Sequence, residues 1–297
     1  MAARVVPIIN QKGGVGKTTA CRNLAFCLKE RGFRVLIIDM DAQRNTDRAM
    51  SAFPDYENPY PTTMFHVLNG DCPLTDAIFH TAEGIDLIRA DERMYSYRST
   101  LITVEEAASF GDNVEAMGRF VYDQLHSKDG IKAKEAILQR GIESISSDYD
   151  YILIDTNPVL GDLLTIAILA SSVVYPLIPV FLEISSYDAL VSLNKTLSTI
   201  TRNDFNRQII ISGLLVSRFE NTNIEREIEK NSFAQLANLM HTSLYKTRIP
   251  RAGVLVRESF LFGKSVIEAN ENAKISLAYQ AFCDEFLQRM DRLAVDN

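Results

Sequence analysis

Short runs of consecutive apolar residues alternate along this chain with longer stretches in which apolar residues recur every three or four positions. The runs fall at residues 4–9, 34–38, 85–88, 151–154, 173–178 and 209–216. They are apolar at consecutive rather than alternating positions, the pattern of strands buried on both faces. Helical patterns lie between them. Residues 18–31 predict a helix with Leu24, Phe26, Cys27 and Leu28 among its apolar positions, and Gly32 is placed to end it. Residues 185–201, 224–240 and 276–293 predict three more. Continuous apolar strands separated by helices predict an α/β fold: a mostly parallel twisted sheet flanked by helices.

The chain reads as a single domain over 1–297, with no internal repeat, low-complexity tract or interdomain linker. Residues 91–147 are the least regular. They hold two helix-like patterns and a polar break at Ser127-Lys128-Asp129-Gly130, and are read as a helical elaboration of the same domain.

Composition narrows the class. Hydrophobic residues make up 46% and charged residues 23%, values ordinary for a folded globular chain. A formal net charge of −7 argues against a surface that coats nucleic acid as a whole, so any such contact needs a local patch or one completed by association. Cys21, Cys27, Cys72 and Cys283 form no zinc or iron–sulfur spacing, and Cys21 and Cys27 share the first helical pattern as small buried thiols. Such cysteine usage suggests a reducing, cytoplasmic compartment. The apolar stretch from Val173 to Leu182 is interrupted by Pro176 and Pro179 and falls short of the roughly 20 residues a bilayer span requires. The N-terminus runs into the first strand without a signal-type core.

The chemistry concentrates in Lys12-Gly13-Gly14-Val15-Gly16-Lys17-Thr18-Thr19, between the first strand and the first helix. The closing Gly16-Lys17-Thr18 matches a phosphate-binding P-loop, G-x-x-x-x-G-K-[ST]. The first glycine of that pattern is replaced by Gln11, and a lysine with paired glycines follows: a deviant Walker A loop. Glycines let backbone N–H groups turn toward phosphate oxygens, and the helix N-terminus adds partial positive charge. Lys17 is expected to reach the β- and γ-phosphates, Thr18 to ligate Mg²⁺ and Thr19 to bond the α-phosphate. Two apolar strands end in carboxylates, Asp39-Met40-Asp41-Ala42-Gln43 and Asp155-Thr156-Asn157-Pro158. Taken alone, either is also a strand-end turn or helix cap. Beside a P-loop, Asp155 fits the carboxylate that reaches Mg²⁺ or its waters.

These strings, with Arg248-Ile249-Pro250-Arg251 late in the chain, resemble the ParA/MinD family of deviant Walker A ATPases, and among them the ParA-type partition ATPases. The resemblance implies a P-loop NTPase fold that uses ATP and Mg²⁺, forms a homodimer around ATP and hydrolyses it weakly until a partner stimulates it. It implies that Lys12 crosses the dimer interface to the partner's phosphates and that Asp41 orients the attacking water. It places Asp39 near the Mg²⁺ with Thr18 and Asp155, and Arg218, Pro250 and Arg251 near the adenine. Two positions depart from the family's pattern: Arg44 stands where members often carry glycine, and Asn157 precedes Pro158 where they often carry proline or alanine.

The resemblance further implies non-specific DNA binding, a nucleoid-associated location, and a ParB-like or other adaptor protein that triggers hydrolysis while a plasmid, chromosome or other cargo is positioned. Residues 241–264 hold five basic residues, Lys246, Arg248, Arg251, Arg257 and Lys264, against one acid, Glu258. With Arg202 and Arg207, the candidates for phosphate contact are Lys246, Arg248, Arg257 and Lys264; the alternative is that these are solvated charges or nucleotide contacts. A MinD-like membrane ATPase would need a basic amphipathic C-terminal helix, whereas residues 279–293 mix acids among their polar positions and suggest a helix packed on the body. An electron carrier would need cluster-ligating cysteines that this spacing does not supply. An amidoligase or synthetase built on the same P-loop remains the enzyme alternative.

Overall fold

The structure, a computed structural model, describes residues 2–46, 50, 62–95, 131–158, 162–202 and 208–295. Within them β1 (Arg4–Ile8), β2 (Val35–Met40), β3 (Ile78–His80), β4 (Asp86–Ile88), β5 (Tyr151–Thr156), β6 (Val173–Val174), β7 (Leu177–Val180), β8 (Gln208–Ile209) and β9 (Gly213–Val216) join in one sheet. The order is β3-β4-β2-β5-β1-β6-β8, with β7 also beside β1 and β9 beside β7. Every recorded strand pair is parallel except the β3–β4 edge.

The consecutive apolar runs have the predicted cause. Along each central strand alternate residues enter opposite faces, and both faces are covered. Val6 and Ile8 of β1, Val35 and Ile37 of β2, and Tyr151 and Leu153 of β5 share a core with α1 (Lys17–Glu30) and the C-terminal helix Lys274–Val295. Leu36, Ile38, Ile152 and Ile154 share the other with α2 (Met64–Asn69), α3 (Ile131–Ile145), α4 (Asp162–Ile168) and α5 (Ile184–Arg202). Each such side chain, withdrawn fully from water, contributes about 1.5–3 kcal/mol before the entropy of ordering it.

Gly32 takes φ +84° just past α1, the left-handed turn expected of it. The runs at 173–178 and 209–216 are each broken in two. Pro176 has no N–H to give the ladder, and its carbonyl is occupied by Ser212, whose backbone N–H (2.8 Å) and Oγ (3.0 Å) both donate to it. The ladder still spans the breaks through Tyr175 N–H to Val5 O (2.9 Å) and Ile210 N–H to Val174 O (3.0 Å).

The predicted helix at 224–240 is α6 (Asn223–Ile228) and α7 (Ala234–Leu239), joined by a π-helical turn, Glu229–Phe233. The wider turn lets the chain bury Phe233 against Tyr187 (ring centroids 6.0 Å) although α6 buries no residue. The sequence pattern missed the three-residue strand β3 and the helices α8 (Gly253–Leu261) and α9 (Val266–Ala269), which are short or weakly periodic.

Of the irregular stretch 91–147, residues 96–130 lie outside the described residues. The end of the stretch is α3, whose Leu138, Ile142 and Ile145 are buried. The last helix, α10 (Lys274–Val295), packs Tyr279, Phe282, Cys283, Phe286 and Met290 against the body, as its mixed polar face suggested. Among the described residues no helix is long and apolar enough to cross a membrane.

Candidate functional site

The carboxyl ends of the parallel strands meet the N-terminus of α1, the place where ligands bind in open α/β sheets. Between β1 and α1 the loop turns at Gly14 (φ +73°) and Gly16 (φ +87°), conformations that a side chain would strain. An added Cβ at Gly13 meets nothing within 4 Å, so that residue borders open space. Val15, between the two glycines, is fully buried, so its side chain turns away from solvent. Asn10, which the sequence reading missed, holds the loop at its root. Its Nδ2 donates to Pro179 O (2.7 Å) and its Oδ1 accepts from Lys12 N–H (2.9 Å).

Lys17 folds back over this loop, donating to Asn10 O (3.1 Å) and Lys12 O (3.4 Å) with 7% of its surface exposed. Burial lowers its pKa, opposed by the charges of Asp155 and Asp41. Thr18 and Thr19 follow in the first turn of α1, both partly exposed.

Asp39 and Asp155 are register partners on β2 and β5, and both are fully buried. Burial raises the Asp155 carboxyl to about 6, against the opposing pull of Thr46, Thr18 and Lys17. Beyond β2 the chain forms a nested turn: Asp41 N–H donates to Asp39 Oδ1 (2.9 Å), and Gln43 N–H to Asp41 Oδ1 (3.0 Å). Arg44, where the family resemblance led to an expectation of glycine, has φ +55°; the turn uses the left-handed region, and here an arginine takes it. Thr46 closes the loop, donating to Asp155 Oδ2 (2.7 Å). It too was missed, although a hydroxyl soon after the Asp39–Gln43 string is a signal that spacing could have carried.

Among the described residues no group of three or more His, Cys, Asp or Glu side chains forms a metal-holding cluster. What the structure offers instead is two buried carboxylates beside a hydroxyl, with the Asp155 carboxyl pushed up by want of solvent. That oxygen-only set fits Mg²⁺, which uses one or two protein ligands and completes its shell with water and phosphate oxygens.

Among the described residues, two cavities adjoin the loop. One, about 330 Å³ with a mainly apolar lining, runs between Gly16, Arg218, Pro250 and Tyr279. The segment before α8 is tied to the end of β9 by Phe219 N–H to Ile249 O (2.9 Å) and Arg251 N–H to Phe219 O (3.3 Å). The predicted trio Arg218, Pro250 and Arg251 therefore does come together. Arg218 sits at φ +56° with its guanidinium 4.8 Å from the Phe181 ring centroid, backbone strain of the kind that functional sites retain. Ile275 and Tyr279 reach this cavity from α10, and no local pattern in the sequence signals that.

The second cavity, about 390 Å³, lies on the Lys12 side and is lined by Lys12, Glu183, Arg218, Glu220 and Arg251 among others. Two ion pairs cross it, Lys12 with Glu183 and Arg251 with Glu220.

The basic stretch 241–264 does not form one patch, because acids elsewhere in the chain neutralise part of it. Arg248 is partly buried, paired with Glu229 and donating to the Tyr245 carbonyl, which takes it out of the exposed phosphate-contact set. Lys246, Arg257 and Lys264 are exposed, but Arg257 borders the apolar cavity while Lys246 lines a separate cleft of about 660 Å³ with Arg289 and Arg292. The Arg202 side chain and Arg207 lie outside the described residues.

Comparison with known proteins follows the same lines. An AAA domain family model matches residues 3–211. The chromosome partitioning protein ParA of Caulobacter vibrioides is 30% identical over 288 residues, 96% of this chain and 94% of that protein. The sporulation initiation inhibitor protein Soj of Bacillus subtilis is 31% identical over 268 residues, 89% of this chain and 90% of that one. Among solved structures, cobyrinic acid a,c-diamide synthase from Mycobacterium smegmatis with bound ADP and magnesium superposes with a TM-score of 0.70 at 23% identity, covering 97% of this chain and 96% of that one, a likeness of fold. With its deviant P-loop, paired carboxylate strands and relatives matched over nearly their full length, the chain belongs to the ParA/MinD family of P-loop ATPases.

Proposed function

We propose that this chain is an ATP-hydrolysing switch of the ParA type: two copies close around two ATP–Mg²⁺, bind DNA non-specifically, and release it when an adaptor protein triggers hydrolysis. The observation that carries the reading is the buried Asp39–Asp155 pair beside Lys17 and the Thr18 turn of α1, with Lys12 outside this group on the rim of an adjoining cavity. The relatives named for partitioning support the positioning role.

In this reading the backbone of Gly13, Gly14, Val15 and Gly16 with Lys17, Thr18 and Thr19 cradles the phosphates. The adenine enters the apolar cavity beside Arg218, Pro250 and Arg251. Thr18, Asp39 and Asp155 hold Mg²⁺ directly or through water, and the ion when bound offsets phosphate charge. Asp41 is rigidly aimed by its turn and orients the attacking water. Lys12, set at the rim, serves the phosphates of the other copy and stabilises charge there. Lys246, Arg257 and Lys264 are the described candidates for DNA phosphates, completed with the second copy's surface and with Arg202 and Arg207. The location implied is cytoplasmic and nucleoid-associated.

The test is a DNA-binding titration of the purified chain with no nucleotide, ADP, ATP and a non-hydrolysable ATP analogue, at two salt concentrations. Binding only with ATP or the analogue, weakened by salt, is the expected result, because phosphate contacts release counterions. Absence of DNA binding in every condition, with ATP binding intact, would overturn the DNA reading in favour of a membrane-associated ATPase or an amidoligase-type enzyme.

A further inference from the structure

We propose that the cleft beside Lys246 and Arg292, at the end of the sheet remote from the phosphate loop, is a second ligand site that takes a small organic phosphate monoester. The site goes beyond the switch reading and uses neither the P-loop nor the carboxylate strands.

Three segments wall the cleft: Ile211 and Ser212 before β9, the turn 241–246 after α7, and the last turns of α10. The far end of β9 leads to Ser217, beside Gly16 of the P-loop, so the start of β9 lies at the opposite end of the sheet. Arg289 ties the walls together. Its Nη1 donates to Ser212 O and Ser243 O (3.0 Å each), and its Nη2 to Leu244 O (3.1 Å) and Glu285 Oε1 (3.3 Å).

Among the described residues Glu285 is the one acid in the lining, and its acceptor capacity is taken up. It accepts from Lys246 N–H (2.7 Å) and from Thr247 N–H (2.9 Å) and Oγ1 (3.0 Å), besides Arg289. Burial opposes its ionisation, but these donors outweigh burial and hold its pKa below the ordinary glutamate range.

Lys246 and Arg292 are left over. Both are exposed and line the cleft, and among the described residues neither side chain has an ion pair or hydrogen bond. In a chain of net charge −7, two unbalanced cations in one recess mark a place for an anion. A guanidinium fork and an ammonium match phosphate oxygens, and the two charges of a monoester meet the two cations. Ile211, Leu244 and Leu293 offer apolar wall to an organic body, and about 660 Å³ is the size of a small-molecule site. His241 lines the same cleft at φ +54°, a conformation that glycine takes more freely. Donors set in a recess among apolar side chains favour a small ligand over a duplex, which is the rival occupant.

The experiment uses the full chain saturated with a non-hydrolysable ATP analogue and Mg²⁺, so that the P-loop is filled. Phenyl phosphate, inorganic phosphate, benzoate and duplex DNA are titrated by calorimetry. Acylation of each lysine, followed by mass spectrometry, locates the contact. Phenyl phosphate is expected to bind more tightly than inorganic phosphate or benzoate and to protect Lys246. Lys246→Gln and Arg292→Gln should each weaken it about 10-fold or more, the size of a lost charge-assisted bond. Arg292→Lys should restore part of the loss, and Arg292→Gln should leave affinity for the ATP analogue unchanged.

Phenyl phosphate that does not bind, or binds without protecting Lys246, overturns the site. Binding that survives both glutamine variants overturns the roles of the two cations. Benzoate as tight as phenyl phosphate overturns the phosphate assignment, and inorganic phosphate as tight overturns the organic body. Protection of Lys246 by DNA and not by phenyl phosphate gives the cleft to nucleic acid and overturns the small ligand.

Discussion

Thr46 donates a 2.7 Å hydrogen bond to Asp155 Oδ2, joining the loop after β2 to the buried end of β5. The bond connects the segment that carries Asp41 to the carboxylate proposed above to hold Mg²⁺, so the two parts of the proposed site share one hydrogen bond. It also partly compensates a carboxylate that burial makes costly to ionise.

That cost gives a pH prediction. The Asp155 carboxyl titrates near 6 in the folded chain, above its unfolded range near 4. The folded state thus binds this proton more tightly than the unfolded state does. Below about pH 4 both states hold the proton and there is no penalty; as pH rises through about 6 the penalty develops fully. Asp155→Asn is therefore expected to stabilise the chain without nucleotide and Mg²⁺ at pH 7–8, by on the order of 2 kcal/mol, with the gain fading toward pH 4. Thermal melts across pH check it. A gain that grew toward acid would have the wrong sign.

Lys17→Ala removes a cation that, among the described residues, the loop carbonyls and the neighbouring carboxylates balance. Nucleotide affinity is expected to fall about 100-fold or more, since charge-assisted bonds to two phosphates are lost. Calorimetry with a non-hydrolysable analogue reads this, and affinity within a few-fold of wild type would remove Lys17 from the site.

Asp41→Ala separates binding from turnover. If the proposed roles hold, binding and association should persist, since the proposed phosphate contacts lie in the loop after β1, while hydrolysis should drop by about 100-fold or more with the proposed water-orienting group gone. Phosphate release assayed beside sedimentation distinguishes the two. Turnover at the wild-type rate would mean that another residue positions the water.

Gly213→Ala tests the frame behind the site. A Cβ there would lie 2.5 Å from Tyr245 Cε2 and 2.3 Å from Arg289 Nη1, and Arg289 is itself tied to Ser212 O and Ser243 O (3.0 Å each). Neither neighbour yields cheaply. The expected loss is about 1–3 kcal/mol, seen as a lower denaturation midpoint, with nucleotide affinity preserved in the folded fraction.

Local pattern alone determined the strand–helix alternation, the two-faced burial of the central strands, the glycine turn into α1 and the carboxylates ending β2 and β5. These follow from residues adjacent in sequence: period, chain stiffness and φ preference act over a few bonds. The sequence also marked Arg44 as a departure from the expected glycine, and the structure gives that position a left-handed φ, which glycine adopts most freely. Tertiary structure decided what depends on approach between distant segments. It broke the run at Pro176 by offering that carbonyl to Ser212, and brought Tyr279 from α10 to the cavity beside Arg218. It joined Thr46 to Asp155 and Lys12 to Glu183. It also divided the basic stretch 241–264, because Glu229 and Glu220 arrive from elsewhere to pair Arg248 and Arg251. A count of charges along a segment cannot foresee this, since Coulomb pairing depends on distance in space and not on separation in sequence.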